Sequence, residues 1–220
     1  MIKISSLDEN TQVFLDYVDK TLKKYRFTLV LSMDDLTVGK NSVGGTFDEI
    51  DKKLEISIKD EGWLEVLVHE FNHFLQYIEQ EPIFLKLSES GTNMSEDLWA
   101  WLDKEIELPK ERVQEIIQSI IDMELDCERR SVKMIKEFSL PIDLKEYIFL
   151  AYTYLNFYNY VKIHRTWFKQ NVGLSDIKEL RECKNIHLRG KFRRLPKGFE
   201  EIFRILLNVC VQVYFQQKKA

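Results

Sequence analysis

Two histidines four residues apart, His69 and His73, flank Glu70 in the run Val66-Leu67-Val68-His69-Glu70-Phe71-Asn72-His73-Phe74-Leu75-Gln76. On an α-helix, residues four apart share a face, so both imidazoles can turn toward one ion with Glu70 beside them. The geometry suits one zinc ion, with His69 and His73 as ligands. Glu70 is then the catalytic candidate, placed to deprotonate a water held by the metal and to pass the proton on. The alternative is a helix whose polar residues hydrogen-bond one another and hold no metal.

Apolar residues lie on both flanks of this motif. Val68, Phe71, Phe74, Leu75 and Ile78 recur at helical spacing, while Val66, His69, Glu70, His73 and Tyr77 take the other side. Such a helix is buried on most of its circumference, and buried histidines and carboxylates need partners.

A hydrolytic zinc site takes three protein ligands and leaves a fourth position open. The later stretch from Pro109 to about Phe138 reads as one long helix with an apolar seam through Val113, Ile117, Ile120, Glu124, Cys127, Ser131, Met134 and Phe138. A carboxylate in that seam is costly unless paired or bound to metal, which singles out Glu124 as third ligand, with Glu128 the alternative. Glu128, about 40° further around the helix, is otherwise placed to accept the second N–H of a ligating histidine. Asp126 points about 200° away and reads as solvated.

His69-Glu70-Phe71-Asn72-His73 resembles the active-site helix of the zincin metallopeptidases. The pair Glu124 and Glu128 resembles the glutamate helix of gluzincins, where a Glu ligand is followed four residues later by an acid that supports a ligand. With small Cys127 three residues after the ligand, the segment is nearest to the compact intracellular ImmA/IrrE-like and SprT-like peptidases. The resemblance implies a zinc-dependent endopeptidase acting on a protein or peptide substrate. The interval from His73 to Glu124 is longer than in minimal members, and the helical C-terminal part has no matching motif.

The elements that must position these residues follow in order. Asp8 to Tyr25 reads as a helix and Phe27 to Met33 as a strand. A turn at Gly39-Lys40-Asn41 leads to a strand pattern from Ser42 to Phe47, and Leu54 to Lys59 alternates as a strand. The motif helix runs from Gly62 to Gln80 and stops before Pro82. The expected fold is α+β: a small antiparallel sheet of zincin type, the motif helix, then a mostly helical C-terminal half. A single domain over 1–220 is expected, divided as 1–82, 94–138 and 142–220. Gly44-Gly45 marks a bulge or a close backbone approach. In the resembling families a sheet-edge strand beside the metal pairs with extended substrate. Val43, Gly44, Gly45, Thr46 and Phe47 are the candidates for that strand, the alternative being a twisted hairpin without a ligand role.

A helix from Met94 to Leu108 precedes the long one, and another from Ile142 to about Phe168 carries a dense aromatic series. Within the latter, His164 and Tyr154 are candidates to hydrogen-bond a tetrahedral oxyanion. From Lys184 to Gly198 there are six Lys or Arg and no acid. This stretch is a candidate contact for nucleic acid or an acidic partner, or else a solvated loop. A metal-binding but non-catalytic regulatory module is the competing reading of the whole chain.

Composition restrains the rest. The net charge of -4 gives no general attraction to nucleic acid or anionic membrane. No signal peptide and no span of about 20 apolar residues is evident, so a cytoplasmic address without membrane contact is expected. Cys127, Cys183 and Cys210 lack close metal-ligand spacing and read as packing residues in a reducing compartment.

Overall fold

The computed structural model describes residues 7–38, 41–91, 93–167 and 186–204. The fold is α+β and groups into two compact units, Met1–Glu81 with Asp126–Tyr147, and Pro82–Leu125 with Ile148–Ala220. No described helix is long and apolar enough to cross a membrane.

The first unit opens with α1, Glu9–Lys24. Asp8 caps it, accepting from the Thr11 N–H at 3.1 Å, which satisfies one of the orphan donors of the first turn. Phe14, Val18 and Leu22 are fully buried along one face, whereas Val13 and Tyr17 at the margin stay exposed. Then come β1 (Thr28–Ser32), a separate antiparallel hairpin of β2 (Leu36–Val38) and β3 (Asn41–Val43), β4 (Gly45–Asp48) and β5 (Lys53–Ser57). The turn residues Gly39 and Lys40 lie outside the described residues.

The three-stranded sheet has the order β1-β5-β4 and is mixed, not antiparallel as the hairpin-like sequence suggests. β4 and β5 form a tight antiparallel pair whose turn is held by Asp48 Oδ1, accepting from Ile50 N and Asp51 N at 2.9 and 2.8 Å. β1 occupies the other side of β5 in parallel, Thr28 opposite Lys53 through Ser32 opposite Ser57. The β2-β3 excursion supplies the crossover length that a parallel pairing needs.

α2, Trp63–Ile78, packs on β4 and β5. Gly45 permits this approach: a Cβ there would stand 2.7 Å from both Ile56 Cδ1 and Val66 Cγ1. Leu67, Val68, Phe71 and Phe74 are fully buried, and each such side chain contributes about 1.5–3 kcal/mol. The helix ends where Gln80 adopts a left-handed φ of 54°. α5, Lys110–Glu137, brings its second half into this unit. There Asn72 Nδ2, on α2, donates to Val68 O at 2.8 Å and to Ser131 Oγ at 3.2 Å, so its buried amide is satisfied between the two helices.

The second unit is helical. It holds α3 (Pro82–Leu85), a 3-10 segment over Lys86–Gly91, α4 (Met94–Leu102), the first part of α5, and α6 (Leu144–His164) from Ile148 onward. Pro82 therefore starts a short helix as well as following α2, consistent with its fixed φ and missing donor. α4 ends at Leu102, short of Leu108, with Asn93 Oδ1 capping its start through Ser95 N and Glu96 N. On α6, Leu155, Phe157 and Val161 are fully buried, and so are Thr153 and Asn159. Phe157 packs edge-on against Trp167 and Phe203. Arg165 closes the helix, donating to Trp101 O, Ile106 O and the Glu107 carboxylate.

Candidate metal centre

α2 carries His69, Glu70 and His73 one turn apart at its middle, facing the Asp126–Glu137 part of α5. His69 Nε2 and His73 Nε2 lie 3.0 Å apart, with the rings nearly perpendicular. His73 is buried and His69 keeps about a fifth of its side chain accessible.

The outer ring nitrogens determine the protonation. His73 Nδ1 is 2.9 Å from Gln76 Oε1, and Gln76 Nε2 donates to Asp126 Oδ2 at 2.9 Å. A carboxylate accepts only, so the Gln76 amide must face Asp126 with its nitrogen and His73 with its oxygen. His73 therefore carries its proton on Nδ1. Asp126 is in turn held by Arg130 Nε at 2.7 Å, and the same guanidinium binds Glu79 and Glu81. Partial burial would lower the Arg130 pKa, but Glu79, Asp126 and Glu81 raise it above its ordinary range. For the other ring, Glu128 Oε1 stands 3.2 Å from His69 Nδ1 and requires a proton there.

His73 Nε2 thus carries no proton and turns its lone pair toward His69 Nε2. Two lone pairs repel at 3.0 Å, so the space between them calls for a positive charge, either a proton on His69 or a cation. The electrostatics of the metal-free molecule agree with the proton. Desolvation pushes the His69 imidazole down, but its interactions with Cys127 and Glu128 outweigh that and hold the pKa well above the usual histidine value.

Around this pair lie three further groups. Glu70 Oε2 accepts from Phe47 N at 3.1 Å, tying the carboxylate to β4. Cys127 Sγ donates to His69 O at 3.3 Å and sits 3.7 Å from His69 Nδ1. Donor atoms of His69, His73 and Cys127 all lie within 4.8 Å of one another. The second carboxylate oxygen of Glu128 is buried without a hydrogen-bond partner among the described residues. Burial first, and then Glu128, pushes the Tyr147 hydroxyl pKa well up.

Of the residues singled out in the sequence, the first unit brings together His69, Glu70, His73, Glu128 and the Phe47 end of the Val43–Phe47 stretch. Among the described residues, β4 is the edge strand of its sheet. Ser57 N donates to Gly44 O, which sets the parity of the ladder so that Gly45 and Phe47 turn their backbone groups away from β5. The glycines serve the approach of Val66 as well as that open edge.

Glu124, Tyr154 and His164 belong to the second unit. Glu124 is buried on α5, one turn before Cys127 and Glu128. Tyr154 bonds Tyr158 hydroxyl to hydroxyl at 3.2 Å, and His164 bonds Glu200 at 3.1 Å while stacking on Tyr160. In the basic stretch, Arg189, Lys191, Arg193, Arg194 and Lys197 are described, whereas Lys184 lies outside the described residues, as do Cys183 and Cys210.

Sequence reasoning missed Gln76, Asp126, Arg130 and Cys127. Gln76 was the detectable one: a polar side chain three residues after His73 and on its face. Asp126 is not simply solvated, because Gln76 and Arg130 reach it from α2's side and along α5. No protein-family model, no curated protein and no solved structure matches the chain.

Proposed function

We propose that the protein is a zinc-dependent endopeptidase. The observation that carries this reading is the pair of Nε2 atoms 3.0 Å apart with both Nδ1 positions already committed to Gln76 and Glu128. Those bonds orient two imidazoles and raise their basicity toward a shared cation, the arrangement that supports metal ligation by histidine. Two neutral nitrogen donors beside buried carboxylate and thiol fit a borderline-soft ion such as zinc. When bound, zinc supplies a Lewis acid that activates water and polarises a carbonyl.

For the third ligand we keep Glu124. That choice rests on the sequence, where Glu124 stands in the apolar seam of α5, while Glu128 is held at His69 Nδ1. Cys127 is the competing donor. Zinc content separates them: Glu124→Gln is expected to lose most of its zinc and Cys127→Ser to retain it, and the reverse pattern would transfer the assignment to the thiol.

Glu70 acts as general base and then as general acid. Its carboxylate is held in place by the Phe47 N–H, on the same helix as the two histidines, in the role of taking a proton from water and delivering it to the leaving amine. The position of β4 at the sheet edge among the described residues supports a peptide substrate, since Gly45 N–H and C=O face away from β5 and suit an added antiparallel strand. Glu70→Gln is expected to keep zinc and to lose about 10²–10⁴-fold in hydrolysis of an unstructured protein such as casein. Cleavage at the wild-type rate by this variant would remove the catalytic assignment.

A further inference from the structure

The second unit has a cavity of about 440 Å³ between the end of α6 and residues 193–200, a size typical of small-molecule sites. Its lining includes Lys162, Arg193, Arg194 and Lys197, and a single carboxylate, Glu200. That carboxylate already pairs with His164. Arg193, Arg194 and Lys197 form no ion pair among the described residues, in a chain whose overall charge is -4. The concavity therefore carries a local excess of positive charge.

The wall is built, not merely solvated. Asn159, with no exposed surface, donates to Phe192 O at 2.7 Å and accepts from Lys162 Nζ at 2.9 Å. Lys162 also reaches Arg193 O at 3.4 Å. Phe192 is held at a left-handed φ of 42°, with its ring against Tyr152. A non-glycine residue keeps that conformation only where its surroundings impose it. The consequence is that adjacent Arg193 and Arg194 leave a fixed backbone at the cavity rim. Burial lowers the Lys162 pKa, as expected for an ammonium whose partners are neutral oxygens.

We propose that this cavity binds a phosphate-bearing small molecule of about mononucleotide size, with Lys162, Arg193, Arg194 and Lys197 as its cationic contacts. Guanidinium pairs match phosphate oxygens in bidentate fashion, and a half-open concavity of this volume suits one compact ligand better than a long backbone.

The test is calorimetric titration of the full chain with inorganic pyrophosphate, with adenosine 5′-monophosphate and with a twelve-nucleotide single strand. Saturable one-to-one binding of either small probe is expected, weakened about tenfold or more by Arg194→Gln or Lys197→Gln, in line with loss of a charge-assisted bond. Arg189→Gln, in the same segment but outside the lining, should leave the affinity unchanged. The proposal is overturned if neither small probe saturates, or if Arg189→Gln weakens binding as much as Arg194→Gln. It is also overturned if the oligonucleotide binds and pyrophosphate fails to displace it. None of these readouts depends on the metal centre.

Discussion

Replacing Gln76 with leucine removes the oxygen that fixes the His73 tautomer while roughly keeping the buried volume. The expected effect on zinc can be worked from the contacts. His73 Nδ1–H loses the Gln76 oxygen as acceptor, and a buried donor deprived of its bond costs about 1–3 kcal/mol. The proton is then free to move to Nε2, the atom that must be bare to hold a metal. Loss of such support to a ligating histidine weakens metal affinity by about 10–100-fold. At about 1.36 kcal/mol per decade, that range is about 1.4–2.7 kcal/mol, consistent with the desolvation figure. The assay is zinc affinity by competition with a chelator, alongside urea unfolding of the metal-free protein. A variant that loses stability but binds zinc within twofold of wild type would show that Gln76 is only a core residue and would refute the tautomer argument.

Two further outcomes follow from the same geometry. His69 holds its proton more tightly in the metal-free fold than a free histidine does, so its contribution to stability is complete below about pH 6.5 and is lost as pH rises through the raised folded value. The same proton competes with the cation, so zinc affinity should fall as pH is lowered across that window, with proton release on zinc addition measurable in buffers of different ionisation enthalpy. Zinc binding without proton release would contradict the bridging proton. Gly45→Ala should destabilise by about 1–3 kcal/mol in urea unfolding, because its Cβ meets Val66 and Ile56 at 2.7 Å; an unchanged midpoint would mean that α2 shifts freely on the sheet.

Much of the local architecture is legible in the sequence. The apolar spacing of α1 and the run around His69 locate two helices to within one or two residues, since each buries a continuous face. The mixed sheet was not legible. Pairing of β1 with β5 spans the whole β2-β3 excursion, and no local periodicity distinguishes a parallel neighbour from an antiparallel one. Around the histidines, the helix repeat places Glu128 on a definite side of α5, but it carries no information about which α2 side chain reaches across. That is why Asp126 reads as solvated while it anchors Gln76, and why Cys127 reads as packing while its sulfur lies against His69. The same repeat also places Leu108 within a helix that in fact ends at Leu102, where the backbone turns through Asp103 and Lys104.

The bonds at the outer nitrogens have an entropic side as well. An imidazole held by a partner at Nδ1 has already given up its rotamer freedom during folding, and so have Gln76 and Arg130 behind it. Ordering a long polar side chain costs up to about 2 kcal/mol, a sum that an incoming ion would otherwise have to meet. Here folding has met it in advance, through contacts that reach from the α2 core out to the carboxylates of Glu79 and Glu81. A cation taken up by these two rings would replace one small positive charge by a larger one between fixed walls, with little reorganisation of the chain around it.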